Sequence, residues 1–367
     1  GAGSLLVNSA VKGYSQYSKV TVTSSNTDSN TIMIYTPASL ASAIYSQPSP
    51  RNIGQWFTVR MVVTNTGETG ANNVQPGSLM QSGTGGAVLI NGPVPAIATI
   101  ASGGTQTYTW TYSAAGNGSV IFSGRAAGYD ANTLNPVASM PSQSNVMIIQ
   151  KPASLSINME ASPLIAGTGE DIQVRVTINN TGEATATNVN VFEINDAPAG
   201  PPNGDASYKS GPVPSSAMLT GGQGVTFTWT YTGVGVGSIN FTARASGTDV
   251  NYGYNVTSTA GTSNRVEIRS TANLEIAELA MSPSVVSVGQ EITLTMRVSN
   301  TGLGRALNVT GENLMQSGTG GISLISGPDP AMQDINGNGY GEITWRYVAT
   351  GAGTKSISGN AKGWDEN

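Results

Sequence analysis

The chain has 367 residues, of which 10% are charged, and its 16 basic and 21 acidic side chains give a net charge of −5. It contains no histidine and no cysteine, which excludes imidazole and thiolate metal ligands, disulfides and every catalytic triad that uses histidine. Few charges and no basic run argue against binding to nucleic acid, and no apolar run reaches the roughly 18–20 residues of a membrane span.

The predicted elements repeat along the chain. Two features mark each copy, an Asn-Thr-Gly tripeptide and a tryptophan downstream of it. They lie at Asn65, Asn180 and Asn300, spaced 115 and 120 residues apart, and at Trp110, Trp229 and Trp345. A period of this length is large enough for each copy to be a domain. The sequence predicts copies at 37–151, 152–270 and 271–367, preceded at 1–36 by the C-terminal part of an incomplete copy.

Within a copy, a first alternating strand is followed by a longer one, such as Ile172, Val174, Val176 and Ile178 in the second copy. Alternation with period two puts these apolar residues on one buried face. The Asn-Thr-Gly turn follows, in which we expect glycine to take positive φ. A strand through Asn-Val, a loop rich in Pro and Gly, a tryptophan-containing segment and a last strand complete the copy.

The tryptophan segment of the second copy, VTFTWTYTGVGVGSINFTARASG at 225–247, predicts a hairpin with a Gly-rich connection. Phe227, Trp229 and Tyr231 share one strand face, so we expect the tryptophan in the core rather than in a ligand site. About seven short strands per copy, with turn signals about every 8–12 residues, predict an all-β fold of tandem immunoglobulin-like β-sandwich repeats.

Three stretches share a strand, Asn-Thr-Gly, small residues and then Asn-Val. They are VRMVVTNTGETGANNV (59–74), VRVTINNTGEATATNV (174–189) and LTMRVSNTGLGRALNV (294–309). They resemble the CARDB-type and related conserved-repeat domains of bacterial and archaeal surface proteins. The resemblance implies an immunoglobulin-like fold and an extracellular role in tandem arrays, as spacer, stalk or adhesin. It implies no catalytic or binding residue, because the shared motif is a structural turn.

One segment of the third copy is similar to the start of a calcium-binding loop. Its oxygen-bearing side chains are Asp334, Asn336, Asn338 and Glu342. Alternating oxygen ligands followed by glycine are typical of such a loop, but the closing bidentate carboxylate is missing, since Trp345 holds its position. Calcium is therefore one hypothesis and a plain turn the other. We expect no further cofactor.

Two features bear on the surface. Five Asn-x-Ser/Thr sequons are permissive for glycans. Several sequons are expected by chance in a chain so rich in Asn and Thr. The five are Asn117, Asn179, Asn240, Asn255 and Asn308. The loop at 193–211 of the second copy departs from LMQSGTGG, which 79–86 and 314–321 share. Such a loop is either a recognition site or a place where sequence drift is tolerated.

The third copy has no predicted counterpart of the last strand at 146–149 and 266–268. Such a copy leaves an unpaired sheet edge beside an open core. A last strand without its own domain is predicted at Asn30, Ile32, Ile34 and Tyr35, and we expect it to complete a third copy of another chain. Two accounts stay open. Residues 1–367 are a window on a longer repetitive chain, which the 17-residue overlap of 1–17 with 351–367 favours, or a subunit that completes its neighbour by strand addition.

No convergent acid, base or metal group is recognisable, so we expect no enzyme. The sequence favours a structural extracellular protein at the cell surface that joins copies of itself head to tail in a filament, stalk or surface array. The alternative is an adhesin that binds carbohydrate or protein on a cell surface through variable loops.

Overall fold

The computed structural model describes residues 3–366, and every regular element in that range is a β-strand. No helix of these residues is long and apolar enough to cross a bilayer. Gly1, Ala2 and Asn367, which belong to two of the predicted segments, lie outside the described residues. The chain divides into two compact units. The first contains the described residues up to 152 with 182–184 and 249–253, and the second contains 153–181, 185–248 and 254–366.

Residues before 37 form three antiparallel strand pairs. Their strands are β1 Gly3–Leu5, β2 Asn8–Ser9, β3 Lys12–Tyr14, β4 Thr21–Thr23, β5 Thr27–Asp28 and β6 Ile32–Ile34. β1 pairs with β6, β2 with β5 and β3 with β4.

The first copy is a β-sandwich. Its strands are β7 Leu40–Gln47, β8 Arg51–Asn52, β9 Trp56–Asn65, β10 Ala71–Pro76, β11 Met80–Gly83, β12 Gly86–Val94, β13 Ala98–Ile100, β14 Thr105–Gly116, β15 Gly118–Gly124, β16 Ala126–Asp130, β17 Pro136–Ala138, β18 Ser142–Gln143 and β19 Met147–Gln150. One layer has the order β12-β14-β9-β7, and the other consists of β13-β10-β16-β17 and β11-β15-β19-β8. One core that includes Phe57, Trp110 and Phe122 lies between them.

The second copy repeats this plan. Its strands are β20 Leu155–Ser162, β21 Ile165–Gly167, β22 Asp171–Asn180, β23 Ala186–Pro198, β24 Asp205–Val213, β25 Ala217–Leu219, β26 Gly224–Gly235, β27 Gly237–Asp249, β28 Asn255–Thr257, β29 Gly261–Thr262 and β30 Val266–Arg269. The sheets have the orders β20-β22-β26-β24 and β21-β30-β27-β23-β25.

The third copy has fewer strands in the described residues. They are β31 Leu274–Ser282, β32 Glu291–Asn300, β33 Ala306–Ser317, β34 Gly321–Asp329, β35 Gln333–Ile335, β36 Tyr340–Gly351 and β37 Ser356–Asp365. The sheets have the orders β31-β32-β36-β34 and β35-β33-β37.

The tryptophans lie in the cores, as predicted. Trp110, Trp229 and Trp345 are each 3% exposed. In register they lie opposite apolar residues of the long strand, at Val59, Val174 and Leu294. The predicted fold class, all-β with immunoglobulin-like sandwiches, is confirmed.

The predicted tryptophan hairpin is wrong. β14 pairs with β12 and β9, whereas β15 pairs with β11, β18 and β19, so these consecutive strands lie in opposite layers. The same holds for β26 with β27 and for β36 with β37. Gly118, at the crossing, has φ of 126°, a conformation that glycine adopts readily. The alternation of apolar residues identified the two strands correctly. A Gly-rich connection, however, can cross from one layer of the sandwich to the other as well as link two hairpin strands.

The glycine of the Asn-Thr-Gly turn also differs from the prediction. Gly67 and Gly302 do not take positive φ. A Cβ on Gly67 would lie 2.6 Å from the Cα of Ala38, and one on Gly302 would lie 2.8 Å from the amide nitrogen of Asn273. Close approach of the segment that leads into the first strand, rather than a left-handed backbone, therefore requires glycine here.

The left-handed residue lies further along, at the asparagine of Asn-Val. Asn73, Asn188 and Asn308 each have φ of 52°. The pairing register shifts at this place in β10, β23 and β33. Asparagine tolerates this conformation better than most residues, so the recurring Asn-Val marks a β-bulge.

Candidate functional site

The third copy carries an open cavity of about 740 Å³. It lies between the end of β31 with the segment after it and the connection from β36 to β37. Lining residues include Met281, Val285, Val286, Ile322 and Lys355. The cavity is continuous with the core, because Met281, Val286 and Ile322 pack against the core cluster of this copy.

In the second copy, β30 fills the corresponding place. Val266 and Ile268 are 0% and 1% exposed. β30 runs antiparallel to β27, with Val266 opposite Ile239 and Ile268 opposite Gly237, and parallel to β21. The first copy has the same arrangement, with β19 between β15 and β8. The last strand of a complete copy thus bridges two segments and closes the core.

One wall of the cavity in the third copy keeps a turn hydrogen bond that the second copy also has. Ser287 N donates to Gln290 Oε1 at 2.7 Å, as Gly167 N donates to Glu170 Oε2 at 2.9 Å in the second copy. The exposure differs, since Val285 is 87% exposed and its counterpart Ile165 is 39% exposed. The cavity therefore lies where the last strand of a complete copy lies, and both apolar and polar groups line it.

The incomplete copy presents a strand of the matching kind. β6 lies on β1 with Ile34 opposite Gly3, Met33 opposite Ser4 and Ile32 opposite Leu5. This is the register of Ile149 opposite Gly118 and Met147 opposite Val120 in the first copy. Here Ile32 and Ile34 stay 55% and 44% exposed. Tyr35 follows the strand and is also exposed.

Sequence reasoning missed an asparagine that lies two residues before the first inward residue of the last strand. This residue is a structural clamp, because its side chain binds both backbone groups of one residue on the first strand. Asn264 accepts from Ala161 N at 2.8 Å and donates to Ala161 O at 2.9 Å. Asn145 makes the same two bonds, of 2.8 and 2.9 Å, to the backbone of Ser46. The signal was the dipeptide Ser-Asn, which also occurs at Ser29-Asn30. Asn30 therefore stands where a clamp would stand.

The local structure around Asn30 matches that of the complete copies. Ser29 Oγ donates to Asn30 O at 3.0 Å and accepts from Val7 N at 3.0 Å. Ser144 donates to Asn145 O at 2.7 Å and accepts from Phe122 N at 3.0 Å. The incomplete copy thus holds its last strand in the conformation that this strand has inside a closed sandwich.

The proposed calcium ligands lie on different elements. Asp334 is on β35 and Glu342 on β36, in different sheets. Arg305 Nη2 donates to Asp334 Oδ2 at 2.7 Å, and Asn308 N donates to Asp334 Oδ1 at 2.9 Å. Asn338 has φ of 56°, and Gly339 N donates to Asn336 O at 2.9 Å, so this segment is a tight turn. Calcium binding stays a hypothesis.

The sequons lie at or near the surface. Asn117, Asn179, Asn255 and Asn308 are exposed, and Asn240 is half-buried. Asn117 Nδ2 donates to Glu183 Oε1 at 2.8 Å. Glycosylation of any of them stays a prediction.

The variable segment 193–211 is mostly extended, in β23 and β24. Tyr208 is exposed on β24. Lys209 Nζ lies 2.6 Å from Asp171 Oδ2, and the hydrogen bond from Lys209 lowers the pKa of Asp171. The pair is half exposed, so it contributes little to stability.

The most strongly bound carboxylate of the first copy is part of the fold. Asp130 Oδ2 accepts from Thr69 Oγ1 and, at 2.7 Å, from Ala38 N. Asp130 Oδ1 accepts from Thr133 N at 2.7 Å. These bonds, that from Thr69 above all, lower the pKa of Asp130. Among residues 3–366 no three acidic side chains gather in a way that could hold a metal ion.

Comparisons with known proteins identify no family. No protein-family model matches the chain, and no curated protein matches it. Solved structures with a TM-score of 0.21 include red sea bream transglutaminase and the secreted serine protease VesC from Vibrio cholerae, each 11% identical, covering 62% and 57% of this chain and 31% and 50% of theirs. Elastase-activated alpha-2-macroglobulin from Escherichia coli has the same TM-score and is 13% identical over 99% of this chain and 35% of its own. The chain thus spans half or less of the length of each of these three proteins.

Proposed function

We propose that this protein is a structural, extracellular repeat protein that joins copies of itself head to tail in a filament, stalk or surface array. The observation that carries the proposal is one β-sandwich plan repeated along the chain. The four-stranded sheets β7-β9-β14-β12, β20-β22-β26-β24 and β31-β32-β36-β34 correspond strand for strand in the three copies. A contact between two different surfaces of like molecules propagates without closing, which produces an open polymer.

The use of polar groups in the copies also supports a structural role. Asn65 and Asn300, which begin the recurring tripeptide, are buried. Asn65 donates to three backbone carbonyls and Asn300 to two, and each accepts from two backbone amides. The motif that resembles the CARDB-type domains thus stabilises the sandwich. Membership of that group and the cell-surface location are part of the proposal, as is the absence of a catalytic centre and of a required cofactor.

Electron microscopy of the purified 367-residue protein tests the proposed assembly. We expect threads or a lattice that lengthen with protein concentration. Particles of single-chain size at every concentration would contradict it. Elemental analysis tests the cofactor statement, which a stoichiometric metal would contradict.

An adhesin is the second candidate, and the exposed Tyr208 on the variable segment favours it. Aromatic side chains on a rigid scaffold are frequent anchors for glycans and proteins. Binding to a glycan array or to cells, lost in Tyr208→Ala while assembly is unchanged, would support this role. Equal binding by both proteins would remove Tyr208 from it.

A further inference from the structure

The outer face of the sheet β12-β14-β9-β7 in the first copy carries two exposed aromatic side chains and one arginine. Side chains alternate along β9, so Trp56 and Arg60 point away from the core that holds Phe57 and Val59. Trp56 is 63% exposed. Tyr45 of β7 lies opposite Arg60 in register and is 53% exposed. Two aromatic rings and one guanidinium therefore share a solvent-facing surface.

The other copies carry carboxylates where the first copy carries these rings. In the second copy, Asp171 takes the place of Trp56 and Glu160 takes the place of Tyr45, by the register of the corresponding strands. In the third copy, Glu291 takes the place of Trp56. Asp171 and Glu291 each form an ion pair with a basic side chain of the same sheet. The first copy has thus replaced acidic groups by aromatic ones on a shared scaffold.

The charge of this face is positive. Arg60 is the only charged residue in the four strands of the sheet. Its counterpart Arg175 lies opposite Glu160, whereas Arg60 lies opposite Tyr45. The ion pairs among residues 3–366 do not include Arg60. Since the whole chain has a net charge of −5, the face is a positive surface on an acidic protein, and its charge complement is an anion.

Polar side chains lie between the two rings. Thr58 is on the outer face between Trp56 and Arg60, with Gln47 opposite it on β7 and Thr111 opposite it on β14. Trp56 and Arg60 are four residues apart on one strand, which is about 13 Å at about 3.3 Å per residue. Hydroxyl and amide side chains both donate and accept hydrogen bonds. The face therefore combines flat rings with groups that can bind the hydroxyls of a sugar chain.

We propose that this face binds a polysaccharide that carries carboxylate groups, such as a chain of uronic acids. The C–H face of a sugar ring packs on the electron-rich face of an aromatic ring, so Trp56 and Tyr45 each hold one sugar. A carboxylate beside Tyr45 accepts a bidentate hydrogen bond from Arg60. A protein partner matches the face less well, because the centre of a protein interface is apolar and Thr58 with its polar neighbours occupies the centre here.

The scaffold holds this face in place before any ligand binds. Phe57, Val59 and Met61 alternate with the outer residues of β9 and are at most 2% exposed. The backbone that carries Trp56 and Arg60 is therefore fixed by the core, so binding does not have to order it. The site needs one copy of one chain, and it is separate from the variable segment that carries Tyr208. It adds a binding activity to the proposed structural role.

Titration calorimetry of the full chain with a panel of polysaccharides tests the inference. The acidic glycans are alginate, polygalacturonate and hyaluronate. Dextran is the neutral glycan, and polyglutamate is an acidic polymer without sugar rings. We expect binding to at least one acidic glycan, weakened by salt because one contact is ionic. Dextran and polyglutamate should bind about tenfold more weakly or less, since each lacks either the carboxylate or the rings.

Variants of the full chain locate the site. Trp56→Ala and Tyr45→Ala should each weaken binding about tenfold or more, as the loss of an aromatic anchor does, whereas Trp56→Phe keeps a flat ring and should retain most of the affinity. Arg60→Gln should lower the affinity for the acidic glycan to that for dextran and remove the salt dependence. Tyr129→Ala is the matched control, since Tyr129 is an exposed tyrosine on β16, in the other layer of the same copy. All four side chains are exposed, so the variants should fold.

Three results would overturn the inference. The first is a wild-type chain that binds no acidic glycan of the panel, or binding that is unchanged in Trp56→Ala and Tyr45→Ala. The second is equal binding to polyglutamate, because the face would then recognise charge alone. The third is self-association, followed by light scattering, that Trp56→Ala abolishes, because the face would then be a contact between copies of the chain. The glycan results leave the head-to-tail array standing, because the array does not require this face.

Discussion

The buried asparagine of the recurring tripeptide offers the sharpest test of how a copy is held together. Asn65 is 0% exposed. It donates with its two amide hydrogens to Thr69 O at 2.8 Å, Ile100 O at 3.2 Å and Ala101 O at 3.3 Å, and it accepts from Ser39 N at 3.2 Å and Gly67 N at 3.1 Å. One side chain therefore joins the segment before the first strand, the turn and the end of β13. Asn65→Ala removes these five hydrogen bonds and leaves the backbone groups of Thr69, Ile100 and Gly67 without this partner in the buried interior.

The expected loss is about 4 kcal/mol, taking about 1 kcal/mol for each of the two amide hydrogens and for each of the two accepted hydrogen bonds. Against a typical domain stability of about 5–15 kcal/mol, this is a large fraction. Hydrogen exchange of the full chain measures it locally. Protection of β9 and β14 should fall by about three orders of magnitude, at about 1.4 kcal/mol per factor of ten, while β22 and β26 of the second copy stay unchanged.

Asn91→Ala is the matched control, because Asn91 is an exposed asparagine on β12 of the same copy. It should leave exchange in β9 and β14 within a factor of about two or three, as surface substitutions usually do. A fall of less than tenfold in Asn65→Ala would refute the reasoning, because the Asn65 side chain would then contribute no more than one surface contact.

Three further predictions follow from the cores and turns. Gly67→Ala should destabilise the first copy by about 1–3 kcal/mol, since its Cβ would lie 2.6 Å from the Cα of Ala38. Gly13→Ala should leave the stability unchanged, because a Cβ on Gly13 has no neighbour within 4 Å. Calorimetry compares the unfolding of the two variants. Trp229→Ala should cost the second copy about 3–5 kcal/mol in denaturant unfolding, and a loss below about 1 kcal/mol would contradict its role in the core. The pKa of Asp130 is lower in the folded first copy than in the unfolded chain. Its carboxylate therefore stabilises the fold at pH values above the unfolded pKa of about 3.9, and this stabilisation is lost as the pH falls through the folded pKa. Asp130→Asn should therefore flatten the acid limb of the stability curve, and an unchanged limb would contradict this.

The sequence predicted the strands better than it predicted their partners. Alternation around Trp229 identified a buried strand face, because side-chain period depends on the backbone alone. Whether β26 pairs with β27 depends on the layer to which the chain returns. Gly237, with φ of 140°, allows a crossing between layers that local pattern cannot distinguish from a hairpin turn.

The residue that takes the left-handed backbone differs from the predicted one for a similar reason. Gly67 was expected to supply a left-handed backbone, but the close residue is Ala38, which is distant in sequence. Asn73 supplies the left-handed backbone instead. The clamp from Asn264 to Ala161 was not foreseeable, since it is visible only when both strands are in place.

The concentration dependence of particle mass tests the central claim most directly. In analytical ultracentrifugation of the purified 367-residue protein, the account predicts a weight-average mass that rises steadily with protein concentration above the 37.5 kDa of one chain, as expected for an open head-to-tail array. The mass of a single chain at every concentration, or one closed oligomer of fixed size, would contradict the account.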